Sequence, residues 1–187
     1  DGKVLDRSTH VIVQQVEAMR DMVNAFSEYA RAPAINLAHV DLTRLIREVA
    51  WLYRAQEGQP TVQLRLDEDI GIEVDAVRVR QLLHNLIRNA QEALEGQTGA
   101  HIAIVAGFVP GTDCGMVEIS VTDNGPGIQT EDQEVIFDKF RQGAGTTDVL
   151  TDKPQGTGLV LPISRQIIEY FNGRLWVESR PGAGACF

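Results

Sequence analysis

Three separated segments, one marked by asparagines and two by glycines, constrain this chain more than anything else in it. His84-Asn85-Leu86-Ile87-Arg88-Asn89-Ala90 falls in helix-patterned sequence, Asp123-Asn124-Gly125-Pro126-Gly127-Ile128 follows a strand, and Gly156-Thr157-Gly158-Leu159 opens a further helix. Asn85 and Asn89 are four residues apart, so in a helix their amides stack on one face. There they offer oxygen ligands to a hard cation such as Mg²⁺. Asp123 ends the alternating run Val117, Ile119, Val121 at a turn that Gly125, Pro126 and Gly127 force. A carboxylate held there accepts a hydrogen bond from an exocyclic amine, which adenine presents and guanine lacks at that edge. Gly156 and Gly158 let backbone N–H groups approach phosphate at a helix mouth, whose dipole favours anions. Each segment alone is a common turn or capping pattern. All three in this order describe one site for ATP, and a fold that serves them must bring together a helix face, a strand end and a helix N-terminus.

The sequence between the motifs supplies such a fold. Asp41 is a suitable N-cap for a helix carrying Leu42, Leu45, Ile46, Val49 and Leu52. Strand-like alternation follows at Thr61 to Leu66, and a short segment around Ile72 and Val74 leads into a helix over 75–95. That helix buries Leu82, Leu83, Leu86, Ile87, Ala90 and Leu94 and leaves Gln81, Asn85, Asn89 and Glu92 to flank a pocket. His84 points about 100° away from Asn85 and reads as a packing residue. Strands at His101 to Phe108 and Met116 to Asp123 complete an α/β (α+β) domain. Its expected architecture is a two-layer sandwich of one mixed sheet and about three helices.

Residues 1 to about 32 carry a heptad stripe, with Leu5, Ile12, Met19 and Phe26 at one position and Thr9, Val16, Val23 and Ala30 at the other, ended by Pro33. Such a seam needs a second helix, a second chain or both to cover it. The formal net charge of −9 argues against nucleic acid as a partner, since no basic field is present to neutralise phosphates. Cys114 and Cys186 lack metal-like spacing and read as ordinary thiols of a reducing compartment. No apolar run approaches a membrane span, so direct membrane contact is not expected of these residues.

With these segments in place, the chain resembles the catalytic ATP-binding domain of sensor histidine kinases, whose superfamily includes gyrase-, Hsp90- and MutL-type ATPases. Asn85 to Ala93 resembles the N box, Asp123 to Ile128 the first glycine box, Phe137 to Phe140 the F box, and Gly156 to Leu161 the second glycine box. The resemblance implies nucleotide binding by Asn85, Asn89, Asp123, Gly125, Gly127, Ile128, Phe140, Gly156, Thr157, Gly158 and Leu159. Asn85 and Asn89 would hold Mg²⁺, and Arg141, in a polar stretch resembling an ATP lid, would stabilise charge on the transferring phosphoryl group. Residues 1–35 resemble the second helix of the dimerisation and phosphotransfer hairpin, and 36–187 the catalytic domain. Phe26 to Arg31 with Val40 to Leu42 resembles nitrogen-regulation sensors of the NtrY type, whereas Lys139 to Gly158 resembles hybrid kinases.

The implied reaction moves the γ-phosphoryl of MgATP to a histidine on the dimerisation domain and then to an aspartate of a response regulator receiver domain. The acceptor helix is absent from this sequence: His10 is followed by Val11-Ile12-Val13 without an acidic neighbour, and His39 and His101 read as structural. The missing helix, and an end at Phe187 inside strand-like sequence, imply a longer parent. The resemblance makes that parent a homodimer through the N-terminal helix, with this portion in the cytoplasm and an anchor in the bacterial inner membrane. In the gyrase-like branch the position of Asn85 resembles a glutamate that activates water, and a neutral amide is a poor general base. Two departures from the pattern keep alternatives open. Val160 replaces a third glycine, and Glu92 stands where some members carry a phosphate-contacting lysine. An ATP-hydrolysing switch of the gyrase or MutL class and a degenerate, nucleotide-free scaffold are the rival readings.

Overall fold

The computed structural model describes residues 16, 35–54, 59–111, 115–138 and 158–187. The heptad stripe therefore lies outside the described residues, apart from Val16, which is helical and exposed. Phe140, Arg141, Gly156 and Thr157 also lie outside them.

The described chain begins with β1 (Ala38–Asp41), whose last residue caps α1 (Leu42–Leu52) by accepting the Arg44 N–H at 2.9 Å. Then come β2 (Thr61–Leu66), β3 (Gly71–Val74), α2 (Ala76–Ala93), β4 (His101–Phe108) and β5 (Val117–Asp123). A short 3₁₀ turn at Val135–Phe137 precedes α3 (Val160–Tyr170), β6 (Glu178–Ser179) and β7 (Ala185–Cys186). Five strands form one mixed sheet in the order β2-β4-β5-β7-β6, in which only β2 and β4 run parallel. β1 and β3 make a separate antiparallel ribbon, Ala38 facing Val74 and Asp41 facing Gly71.

Three helices cover one face of the sheet, as the pattern predicts. Leu42, Ile46, Leu83, Ile87, Ile102, Ile104 and Val121 are essentially inaccessible and form the centre of the core. In β4 Ile102, Ile104 and Ala106 face this core while the residues between them are more exposed, which is the two-residue period of a half-covered sheet. The expected span of 75–95 for α2 shortens at both ends. Asp75 stands outside as N-cap, accepting from Val77 and Arg78, and Leu94 is the C-cap. Leu52 does not join the apolar face of α1: it is 69% exposed, and the half-buried Tyr53 packs against the core in its place. The strand expected from Met116 begins at Val117.

α3 closes with Asn172 in the left-handed region at φ 56°, its N–H bonded to Glu169 O and that of Gly173 to Ile168 O. Asparagine tolerates this conformation, and the paired bonds satisfy carbonyls that the helix end would leave open. The chain then turns back to lay β7 beside β5. Val121 and Phe187 exchange both backbone bonds, at 2.9 and 3.0 Å.

Candidate functional site

The N-box helix is the spine on which the other two motifs meet. Its apolar stripe, Val79, Leu82, Leu83, Leu86, Ile87 and Ala90, faces the core and sets Asn85 and Asn89, both half-buried, along the flank. At one end Asn85 Nδ2 donates to Ser164 Oγ of α3 at 3.3 Å, next to Leu159 and Val160 of the third motif. Eight residues further along α2, the first glycine motif arrives: a Cβ on Gly125 would sit 3.4 Å from the carbonyl oxygen of Ala93. At 1.5 Å per residue the two junctions are about 12 Å apart, with Asn89 midway. That is the length scale of a nucleoside triphosphate.

Asp123 marks one end of this run. It is 5% exposed, and its Oδ1 accepts from the backbone N–H of Gly125 at 2.8 Å and of Ala185 at 3.4 Å. Burial pushes the carboxyl above its usual range, although these backbone donors pull the other way. A carboxylate has about four lone-pair sites, so capacity remains for a further donor.

The loop after Asp123 is locked from behind by the β6–β7 hairpin. Gly127 has φ 72° and its Cα faces the Arg180 carbonyl, while Gly184 has φ 82° and lies against the Asp123 carbonyl; a side chain at either would collide with backbone. Ser179 Oγ accepts from Ile128 N at 2.8 Å and donates to Gly184 O at 2.6 Å. Gln133 Nε2 donates to the carbonyls of Ile128 and Ser179, and Pro126 O accepts from Gly182 N. Asn124 points the other way, accepting from His101 N and donating to Gly99 O, which ties the loop to the start of β4.

Of the residues predicted from sequence, Asn85 and Asn89 lie half-buried on α2, Gly125 packs at its Ala93 end with Asp123 bonded to it, Gly127 and Ile128 rest on the β6–β7 hairpin, and Gly158 and Leu159 directly precede α3, whose Ser164 meets Asn85. Glu92, on the same flank of the helix, is exposed and pairs with Arg88 at 2.9 Å. His84 packs as expected, its Nδ1 2.7 Å from the Tyr53 hydroxyl and the rings 5.5 Å apart. Burial, and then Arg80, hold its pKa below the ordinary histidine value, which favours the neutral ring. His39 and His101 are exposed strand residues, the former 3.5 Å from Glu73. Phe137 is buried, edge-on to Phe187 and beneath the Arg165 guanidinium at 4.4 Å. Ser164, Ser179 and Gln133 are supports that sequence reasoning missed. Only Ser164 left a signal, as a lone hydroxyl in the apolar run of α3.

Residues 74–187 match the family described as histidine kinase-, DNA gyrase B- and HSP90-like ATPases. The chain belongs to this family. Within it, the similarity is to sensor histidine kinases. The sensor protein FixL of Bradyrhizobium diazoefficiens is 36% identical over 149 residues, covering 78% of this chain and 27% of FixL. The adaptive-response sensory kinase SasA of Synechocystis sp. is 34% identical over 189 residues, covering 99% of this chain and 44% of SasA. The chain thus spans less than half the length of these relatives. The catalytic domain of the histidine kinase ThkA superposes with a TM-score of 0.64 at 31% identity, over 81% of this chain and 94% of that domain. ThkA in complex with the response regulator TrrA superposes with a TM-score of 0.74 at 26% identity, over all of this chain and 51% of ThkA. The fold is therefore that of a histidine kinase-type ATP-binding domain.

Proposed function

We propose that this chain is the ATP-binding catalytic portion of a sensor histidine kinase, transferring the γ-phosphoryl of MgATP to a histidine on a dimerisation domain for relay to a response regulator aspartate. The observation that carries this reading is the run along α2 from Asp123 and Gly125 at Ala93 to Asn85 beside the mouth of α3. Adenine fits the Asp123 end, where the carboxylate accepts its exocyclic amine, and phosphates fit the α3 end, where Gly158 and Leu159 precede the helix. Asn85 and Asn89 offer neutral oxygens, and the described residues contain no cluster of three or more His, Cys, Asp or Glu suited to a metal. Such a donor set suits Mg²⁺ carried in on phosphates, since this ion keeps waters and shares its shell with the substrate. When bound, it neutralises charge on the phosphate oxygens. Asn85 is a neutral amide and cannot take a proton from water, which favours transfer to a protein nucleophile over hydrolysis.

Residues 1–35 are assigned to the second dimerisation helix by their resemblance to that element of the family, and the parent to a homodimer anchored at the inner membrane with this portion in the cytoplasm. Among the described residues no helix is long and apolar enough to cross a membrane. The ThkA–TrrA complex supports a receiver domain as partner. Affinity to an NtrY-type kinase rests on the sequence alone.

Calorimetric titration tests the reading. ATP and ADP should bind, GTP should bind at least tenfold more weakly, and Mg²⁺ should strengthen ATP binding. Absence of nucleotide binding would revive the scaffold alternative, and sustained ATP turnover without any histidine acceptor would favour the gyrase-like one. Asn89→Ala should diminish the Mg²⁺-dependent gain with the fold intact, because Asn89 flanks the apolar stripe and is not part of it.

A further inference from the structure

We infer that Ser164 is a positioning residue that fixes the Asn85 amide with Nδ2 against α3 and Oδ1 away from it. Ser164 is fully inaccessible, one of four buried polar side chains among the described residues and the only one on α3. Its Oγ lies 2.8 Å from the carbonyl oxygen of Val160 and 3.3 Å from Asn85 Nδ2. A hydroxyl has one proton to give. The Val160 carbonyl can only accept, so that proton goes to it, and Oγ is left with lone pairs alone. Asn85 can then meet Oγ only with its NH₂. A flipped amide would set oxygen against oxygen, or take the hydroxyl proton away from Val160; only the present orientation allows both bonds at once. The orientation of an asparagine amide is ordinarily decided by its partners in this way, and here the deciding partner is buried and held by its own helix.

The consequence falls on Asn85. With NH₂ committed to α3, the oxygen is the atom left for a cation or a phosphate-bound partner, as a metal ligand must be. The geometry also makes the start of α3, into which the second glycine box runs, part of what orients a side chain on α2. The second half of this inference rests on the proposed metal role of Asn85; the orientation itself does not.

Two measurements on the full chain separate them. The first follows solvent exchange of the Asn85 side-chain NH₂ by NMR. In Ser164→Ala these protons should exchange at least fivefold faster than in the parent, with thermal unfolding showing that the fold is kept; Ser164→Cys, of similar volume but with a weak acceptor, should fall between. Unchanged exchange in Ser164→Ala overturns the proposal. The second measures the Mg²⁺-dependent gain in ATP affinity in the parent, Ser164→Ala, Asn85→Ala and the double variant. The gain should fall about tenfold in Ser164→Ala, the low end for residues that orient a ligand, and Ser164→Ala should add nothing in the Asn85→Ala background. An equal loss in that background would show that Ser164 acts through packing, and overturns the positioning role. Full Mg²⁺ dependence in Asn85→Ala would instead remove Asn85 from the metal site, leaving the orientation to stand or fall by the exchange measurement.

Discussion

Asp123 is placed against its own stability. Its carboxyl is taken out of water to a depth that raises its pKa, and the bonds from Gly125 and Ala185 do not fully offset that cost. Because the folded pKa lies above the unfolded one, the folded state holds its proton longer; the penalty grows as pH rises from the ordinary carboxylate range and is complete above the raised value. Asp123→Asn keeps an oxygen for Gly125 and removes the charge. It should therefore raise the thermal midpoint at pH 7, by an amount that shrinks to nothing at acid pH. The same change sets an NH₂ against the adenine amine, a mismatch that should cost roughly 1–3 kcal/mol of nucleotide affinity. Paired melting and titration curves check both signs. A variant that binds ATP as well as the parent does would remove Asp123 from adenine recognition. Val160, which departs from the glycine of the family pattern, is half-buried at the start of α3 and lends only its carbonyl to the Ser164 arrangement.

At the level of elements, the supports of the site come from parts of the chain far from it in sequence. Asp75 caps α2 and also accepts the Asn36 N–H at 3.1 Å, joining the spine helix to the residues before β1. Burial works against its charge, yet the backbone donors of Asn36, Arg78 and Val77 prevail and hold its pKa below the carboxylate range. This stability is present above the ordinary carboxylate pKa and is lost as pH falls through the lowered value. Asp75→Ala should cost about 1–2 kcal/mol at pH 7 in denaturant unfolding, as loss of a cap does, and the difference should close in acid; a constant difference would mean that charge is not involved. Gly184→Ala should be more severe, above the roughly 0.5–3 kcal/mol of ordinary substitutions, because its methyl would meet the Asp123 backbone. Full nucleotide affinity in that variant would separate the β6–β7 hairpin from the site. These supports also mark where sequence stops being legible. α2 could be read within two residues because its stripe repeats from Val79 to Leu94. The β1–β3 ribbon could not, since four residues carry no period and Ala38 finds its partner at Val74. β6 and β7 have two residues each, and Ser179 and Gln133 gain meaning only once the hairpin has folded onto the loop. Leu52 lies on α1 as expected, as its last residue, but is exposed, because periodicity does not say how far along a helix the core reaches.

For the whole molecule, the decisive matter is where the nucleophile comes from. In the proposed site Asn85 is a neutral amide, which cannot activate water, and His84, beside it, is engaged with Tyr53. His39 and His101 lie on exposed strand positions, the one in the separate ribbon and the other at the start of β4, neither of them on the α2 flank. Phosphoryl transfer depends mainly on positioning and charge stabilisation, so binding without a presented imidazole gives little chemistry. Incubated alone with γ-labelled ATP, the chain should acquire no acid-labile phosphohistidine. A separate polypeptide bearing the parent's phosphoacceptor hairpin should restore labelling, and on that polypeptide only. Arg141→Ala should then slow the transfer by at least tenfold while changing ATP affinity by less than threefold, because a cation that stabilises the transferring group acts more strongly on the transition state than on the ground state. A matching loss in both would make Arg141 a binding residue. Label on His10 of the isolated chain would mean that the acceptor had been present in residues 1–35 all along.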